Sequence, residues 1–237
     1  GTILGNFSPK NFLRWNQTVA GSGQTVKNLD HRIENVNTFS GQTATVSFWA
    51  KADSARTISV FFQQDFGSGG SPNVTTATQN VNLTTSFQQF TLTFTLPSIT
   101  GATLGTKDNL MLRISLPLNV TFTIDLAMVM ALEGDRTTDT FVRAGINFQE
   151  ELQLCQRYYE KSYDLDTAPG TVTTSQNWIH RLNTALEDVI VDLSVNKRGS
   201  PNTQIIWSPS TGQANKVSDN SAAQDRTVSS TFGGGKY

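Results

Sequence analysis

The sequence predicts a mainly β protein in which a single helix follows an antiparallel two-sheet sandwich. Five segments between residues 43 and 130 alternate apolar and polar side chains with period two, which is the pattern of half-buried strands. Loops rich in Gly, Pro and Asn separate them, and no helical pattern intervenes. Charged residues are only 16% of the chain, and Thr, Ser, Asn and Gln take their place. Since these residues suit exposed sheet faces, the segments predict two facing sheets with one apolar face each.

The alternation assigns one face of each strand to the core. The last of the five strands, residues 121–130, puts Met128 and Met130 on the same face as Phe122. A turn at residues 53–55 is expected to join the first two strands as a hairpin, and residues 1–40 are expected to hold one or two short strands. A register slip of one residue would expose the whole apolar set. We therefore expect these side chains to be buried: Val46, Phe48, Val60, Phe62, Phe94, Ile114 and Ile124.

The predicted helix covers residues 147–163, NFQEELQLCQRYYEKSY. Asn147 can cap its N-terminus, and Glu150 follows three residues later as in a capping box. Helical spacing forms one long apolar stripe and a second, shorter row beside it. The stripe contains Phe148, Leu152, Cys155, Tyr159 and Tyr163, and the row contains Leu154 and Tyr158. Because two rows exceed what one neighbour usually covers, we expect an oligomer interface at Leu152, Leu154, Cys155, Tyr158 and Tyr159.

The pattern weakens after the helix. Short strands are predicted at residues 185–196, 203–207 and 226–232, which together make a thin core. We expect a sandwich domain over residues 1–146, a connecting helix over residues 147–163 and a small C-terminal β domain over residues 164–237.

Composition excludes several classes of function. The net charge of −1 and the pI of about 6.1 give no electrostatic reason to bind nucleic acid. Cys155 is the only cysteine, so an internal disulfide or a thiolate metal site is excluded, and this thiol is expected to be a small buried apolar group. No apolar run has the length of a membrane span, so membrane insertion is not expected.

No catalytic arrangement is apparent in the sequence. A glycosidase needs two carboxylates facing each other across a cleft, and the acids near residues 160–166 and 187–192 show no pairing. His31 and His180 have no motif around them, and no Gly-x-Ser-x-Gly elbow occurs. We expect the protein not to be an enzyme.

Three segments resemble one protein family. Residues 39–52, FSGQTATVSFWAKA, resemble the GktvTlSfwaKa strand of bacteriophage tail-fibre and related virion proteins. Residues 124–133, IDLAMVMALE, resemble the last jelly-roll strand of that family, and residues 152–161, LQLCQRYYEK, resemble the E-x-x-CQRYY helix that follows. The resemblance covers residues 36–165. The chain departs from the family's WQRG and DRW segments, where it has Trp15-Asn16-Gln17 and Asp30-His31-Arg32-Ile33.

The resemblance implies a jelly roll similar to carbohydrate-binding modules, in an adhesion component of a phage tail fibre or baseplate that attaches to a host surface glycan. It also implies a homotrimer, other virion proteins as partners, and a place on an external appendage of the virion after synthesis in the host cytoplasm. Similar jelly rolls often hold a structural calcium, for which Asp125 is the candidate ligand. Two alternatives stay open: a capsid decoration or head-fibre protein, and a fragment of a polysaccharide depolymerase.

Two large aromatic side chains point away from the predicted core. Trp49 and Phe61 are expected side by side on the outer face of the first hairpin, because cross-strand neighbours approach closely. Three explanations compete for such an aromatic pair: cover by the chain's own loops, burial against a neighbouring subunit, or a platform on which a sugar ring stacks. Under the third, Trp49, Phe61 and Trp15 are the candidate ligand-binding residues.

Overall fold

The computed structural model describes residues 4, 5, 7–9, 11–142, 147–164, 166–173, 193–198, 204–219 and 222–228. The chain divides into two compact units, Gly1–Val142 and Arg143–Tyr237. The described elements are nine strands and a helix, followed by two more strands. In chain order they are β1 (Leu13–Gln17), β2 (Asn28–Glu34), β3 (Thr43–Ala52), β4 (Arg56–Asp65), β5 (Val74–Thr75), β6 (Gln79–Leu83), β7 (Gln88–Thr95), β8 (Asn109–Ser115), β9 (Phe122–Glu133), α1 (Phe148–Gln156), β10 (Lys216–Asp219) and β11 (Gln224–Thr227).

The first unit is an antiparallel jelly-roll sandwich, so the predicted fold class is confirmed. One sheet has four strands in the order β1-β9-β3-β7. The facing sheet has the order β2-β8-β4, and both β5 and β6 pair with the free edge of β4. The five strands expected from alternation are all present, as β3, β4, β7, β8 and β9. β5 and β6 were not predicted, because β5 has only two residues and β6 carries only two apolar side chains.

The core lies between the two sheets and follows the predicted alternation. All seven side chains expected there are less than 5% exposed. Phe62 lies among aromatic rings, with the Phe94 centroid at 5.4 Å and the Phe39 centroid at 6.4 Å, both edge to face. Such pairs add about 0.5–1.5 kcal/mol to the burial of apolar area.

The connection between β3 and β4 differs from the predicted hairpin. The two strands lie in different sheets, because β3 pairs with β7 and β9 while β4 pairs with β5, β6 and β8. Residues 53–55 therefore carry the chain from one sheet to the other. Period-two alternation cannot distinguish these cases, because both arrangements bury the same face of each strand.

The second unit contains the helix and a small hairpin. The cap is confirmed, since the Asn147 Oδ1 accepts a hydrogen bond from the Glu150 N–H at 3.0 Å. The predicted end at residue 163 is wrong, because α1 ends at Gln156. There the loop at residues 193–198 occupies two carbonyl oxygens: Lys197 Nζ donates to Gln156 at 2.6 Å, and the Arg198 N–H donates to Arg157 at 3.3 Å.

The predicted C-terminal strands agree only in part with the structure. β10 and β11 form an antiparallel hairpin, and β11 overlaps the strand predicted at residues 226–232, of which 229–232 lie outside the described residues. The strand predicted at 203–207 is reduced to a single bridge between Trp207 and Ala214. Most of the strand predicted at 185–196 also lies outside the described residues, and residues 193–196 are not a strand. Among the parts of the chain that are described, no helix is long and apolar enough to cross a membrane.

Candidate functional site

The outer face of the four-stranded sheet combines aromatic and polar side chains. On β3, Trp49 lies opposite Gln89 of β7 and Ala127 of β9. Two positions further along β3, Lys51 lies opposite Asp125 of β9, and Asp125 lies opposite Arg14 of β1. Since alternate residues of a strand share a face, all of these positions belong to one continuous surface. We call it the outer face of the four-stranded sheet.

A groove of about 350 Å³ opens on this face beside Trp49. Its floor includes Trp49, Gln89 and Met128, and its rim consists of Leu4, Gly5, Phe7, Thr91 and residues 137–141. This Trp49 groove has the size of a small-molecule site, at the low end of the usual range of roughly 300–1,000 Å³. The chain's own segments thus cover part of the Trp49 ring, which stays half-buried.

The groove walls are packed closely. The Phe7 and Phe141 rings meet edge to face with their centroids 5.8 Å apart. Gly5 has a φ of +59°, and a side-chain carbon added there would lie 3.4 Å from the Trp49 ring. Glycine suits this position, because its backbone can adopt a positive φ and approach the ring.

A β-bulge turns Met128 toward the groove. Ser47 pairs with Met130 and Trp49 pairs with Ala127, so Met128 and Val129 together lie opposite Phe48. Met128 has a φ of +53°, the left-handed region that costs a non-glycine residue about 1–2 kcal/mol. The alternation predicted that Met128 and Met130 share the core face with Phe122, and the bulge makes that prediction wrong. The strain lies beside the groove, where such outliers often serve a binding site.

The polar groups of the groove carry little net charge. Its rim offers the hydroxyl groups of Thr91, Thr137 and Thr138, and its floor offers the Gln89 amide. Asp139 is the only ionisable residue in the described lining, and its carboxylate lies 3.7 Å from the Arg136 guanidinium. The groove therefore presents an aromatic surface surrounded by neutral hydrogen-bonding groups.

A charged cluster adjoins the groove on the same face. The Arg14 Nε and Nη2 donate to both Asp125 oxygens at 2.7 and 3.0 Å, and Lys51 Nζ lies 3.6 Å from the same carboxylate. Arg14 lies over the Phe12 ring and Lys51 over the Phe87 ring, each at 5.2 Å, and these rings meet edge to face. We call these five residues the Asp125 cluster. The Arg14 hydrogen bond lowers the pKa of Asp125 although burial opposes the shift.

The ion pairs of Asp125 determine whether this residue can serve as the predicted calcium ligand. The Asp125 side chain is only 3% exposed, and two cations already compensate its charge. Calcium needs six to eight oxygen ligands, and the described residues contain no group of three acidic, His or Cys side chains placed to hold a metal. The geometry around Asp125 therefore fits an ion pair and does not fit a calcium site.

Acid is expected to weaken the sandwich by protonating Asp125. Because the folded-state pKa is lowered, the ion pair's contribution to the free energy of unfolding is complete above the unfolded pKa, about 4. It is lost as the pH falls from about 4 through the folded-state pKa. We expect the wild-type melting temperature to fall over that range, and the fall to be smaller for Asp125→Asn. Thermal melts between pH 7 and pH 2 measure the fall in melting temperature for both proteins. Equal falls would contradict the conclusion that the Asp125 ion pair stabilises the sandwich.

Phe61 lies on a different surface from Trp49. It is half-buried on the outer face of the β2-β8-β4 sheet, opposite Arg113. Arg113 donates to both Asp30 oxygens at 2.9 Å and also to Gln63. The expectation that Trp49 and Phe61 are neighbours is wrong, because the chain changes sheets between them.

Trp15 lies on a third surface. On β1 it pairs with Ile124, packs half-buried against the core, and lines a small apolar cleft between the edge strands together with Leu13 and Leu29. One sugar ring cannot contact Trp15, Trp49 and Phe61 together. The structure therefore separates the three residues that the sequence grouped as one site.

The predicted interface residues on α1 and just after it are largely uncovered in the single chain. Leu154, Tyr158 and Tyr159 are 47%, 58% and 62% exposed. Cys155 is exposed, contrary to the expectation of a buried thiol, and Leu152 is half-buried. An apolar surface of this kind usually marks an interaction site.

The sandwich has a sequence match. Residues 18–116 match a family described as a carbohydrate-binding domain. The matched region runs from β2 to β8 and contains Trp49, while β1 and β9 lie outside it. This match supports carbohydrate binding by the sandwich. No curated protein matches the sequence significantly.

Solved structures show weaker likenesses. One described as "CBM4 structure and function" is 25% identical, with a TM-score of 0.41 over 54% of this chain and 74% of that chain. The N-terminal cellulose-binding domain of Cellulomonas fimi β-1,4-glucanase C is 23% identical, with a TM-score of 0.39 over 52% and 78%. The enzymatically active domain of bacteriophage CBA120 tailspike protein 4 is 14% identical, with a TM-score of 0.32 over 52% and 18%. All three TM-scores are too low to carry an argument about function.

Proposed function

We propose that the sandwich binds a carbohydrate in the Trp49 groove and that the chain is a non-catalytic attachment component of a phage tail fibre or baseplate. The observation that carries carbohydrate binding is the groove itself, an aromatic floor with a rim of neutral hydrogen-bonding groups, in a sandwich whose residues 18–116 match a carbohydrate-binding family. The attachment role is supported by the resemblance of residues 39–52, 124–133 and 152–161 to virion proteins.

The chemistry of the groove suits a sugar ring. One face of a pyranose consists of C–H groups, which pack on the flat indole of Trp49, while the ring's edge carries hydroxyl groups. The Gln89 amide and the threonine hydroxyls both donate and accept hydrogen bonds, as sugar hydroxyls require. A few placed polar groups around an apolar floor are typical of ligand pockets.

Hydrolysis of the bound glycan is not part of the proposal. Glycosidases use two carboxyl groups roughly 5–9.5 Å apart on either side of the scissile bond. The described lining of the groove contains one carboxylate, Asp139, which is paired with Arg136. One acid in an ion pair cannot supply both the acid and the base or nucleophile.

The direct test is glycan binding by the full chain. Affinity electrophoresis through gels that contain host surface polysaccharides is expected to retard the protein, and a reducing-end assay after incubation is expected to stay at background. Absence of retardation by every host polysaccharide would contradict carbohydrate binding, and new reducing ends would contradict the non-catalytic role. Imaging a labelled chain on the intact particle tests the position, because a signal on the capsid would favour the decoration alternative.

The trimer that we propose is expected to depend on the exposed apolar side chains of α1 and of the residues just after it. Leu154→Glu places a charge in the shorter row, so the oligomer mass measured by sedimentation is expected to fall while the sandwich stays folded. Gln153→Glu is the matched control, because it adds the same charge at an exposed neighbouring position outside both rows. A wild-type chain that sediments as a monomer at micromolar concentration would contradict the trimer.

A further inference from the structure

The Trp49 groove and the Asp125 cluster form one extended surface. Lys51 follows Trp49 by two positions on β3, and Asp125 precedes Ala127 by two positions on β9. Residues two apart on a strand lie roughly 7 Å from each other on the same face. A glycan that runs along β3 from Trp49 toward Lys51 therefore places its next sugar unit over the Asp125 cluster.

This part of the surface is positively charged. The cluster contains two cations and one carboxylate, and the carboxylate is the most buried of the three charged groups. The Arg14 and Lys51 side chains are 54% and 33% exposed, against 3% for Asp125. The acid in the groove, Asp139, is already paired with Arg136. The described surface thus offers a ligand more positive than negative charge.

Arg14 also has donors to spare. Its Nε and Nη2 face Asp125, and among the described residues no acceptor takes a hydrogen bond from Nη1. The free end of the guanidinium is a fork that matches a second carboxylate. The contacts of Arg14 with Phe12 and of Lys51 with Phe87 hold the two cations in place before a ligand arrives.

From this arrangement we infer that the glycan bound at the Trp49 groove is acidic, with a sugar carboxylate held by Arg14 and Lys51 next to the ring on Trp49. The inference rests on the proposed carbohydrate binding and adds the class of ligand. Lys51 retains unshared N–H donors, since its nearest described acidic group is 3.6 Å away. Ionic hydrogen bonds of this kind are shorter and stronger than neutral ones.

The test compares acidic oligosaccharides with their carboxyl-reduced forms. The probes are uronate-containing oligosaccharides and the same compounds after reduction of each carboxylate to a primary alcohol, titrated calorimetrically with the full chain. We expect the acidic form to bind about tenfold more tightly. Raising the salt concentration is expected to weaken binding of the acidic form alone.

Each outcome has a distinct meaning. Equal affinity for both forms would overturn the inference and leave carbohydrate binding intact, whereas no binding to either acidic or neutral sugars would overturn the proposed function as well. Lys51→Gln is expected to lose most of the preference for the acidic form, and Lys107→Gln, which removes the same charge from an exposed site outside this face, is expected to keep it. If Lys51→Gln weakens both forms equally and lowers the melting temperature, the cluster is structural and the inference fails.

Discussion

Replacing Trp49 by alanine is expected to weaken glycan binding by at least about 30-fold, because a buried aromatic at the centre of a binding surface typically contributes 2 kcal/mol or more. The indole forms the floor of the groove and is the largest flat apolar surface in it. Under the proposed attachment role, adsorption of the phage to host cells is expected to fall in parallel with the affinity. Isothermal titration of the full chain with an oligosaccharide that the wild-type protein binds measures the affinity. A plating assay measures adsorption.

Phe61→Ala supplies the matched control for that substitution. Phe61 is also a half-buried aromatic on an outer face, but it belongs to the opposite sheet. We expect the Phe61→Ala substitution to leave the glycan affinity within about twofold of the wild-type value. The reverse result, in which Phe61→Ala abolishes binding and Trp49→Ala does not, would move the ligand to the face that carries Arg113. A Trp49→Ala chain that dissociates or melts early would instead make the Trp49 groove a structural feature.

The core was predictable because burial leaves a local signature. A strand that packs on the core with one face alternates in burial, so on β4 the buried Val60 and Phe62 alternate with half-buried neighbours. The cap of α1 was predictable for the same reason, since Asn147 and Glu150 are three residues apart. The C-terminal end of α1 was not predictable, because Lys197, which donates to the carbonyl oxygen of Gln156 there, comes from a distant part of the chain.

The candidate site depends on contacts that the sequence does not display. Arg14 and Asp125 are 111 residues apart and meet only because β1 and β9 pair in the observed register. The bulge at Met128 shifts the face of every later residue on β9, and period-two alternation by itself cannot reveal one extra residue. Phe7 and Phe141 lie outside any strand pattern, so no periodicity marks them.

One signal in the sequence could have pointed to the cluster. Asp125 is a charged residue within a long apolar strand, and a buried carboxylate needs a cation or several hydrogen-bond donors. Arg14 and Lys51 lie at outward positions of other strands in the same sandwich, which makes them candidates for that role. The choice between a cation pair and a calcium ion still required the register of the sheet.

Phe48→Ala is expected to lower the free energy of unfolding by about 3–5 kcal/mol, the usual cost of removing a fully buried aromatic ring. Phe48 is 0% exposed on a central strand, contacts Phe90 at 5.6 Å between centroids, and lies opposite the bulge at Met128. The cavity left by the ring would also loosen the backbone under the Trp49 groove, so we expect glycan affinity to fall in parallel. Urea unfolding with an unchanged slope measures the loss, and Leu104→Ala, at an exposed loop position of the same unit, serves as the control at less than about 0.5 kcal/mol. A loss below about 1 kcal/mol for Phe48→Ala would mean that the inner and outer faces of β3 are wrongly assigned, and that Trp49 does not face the groove.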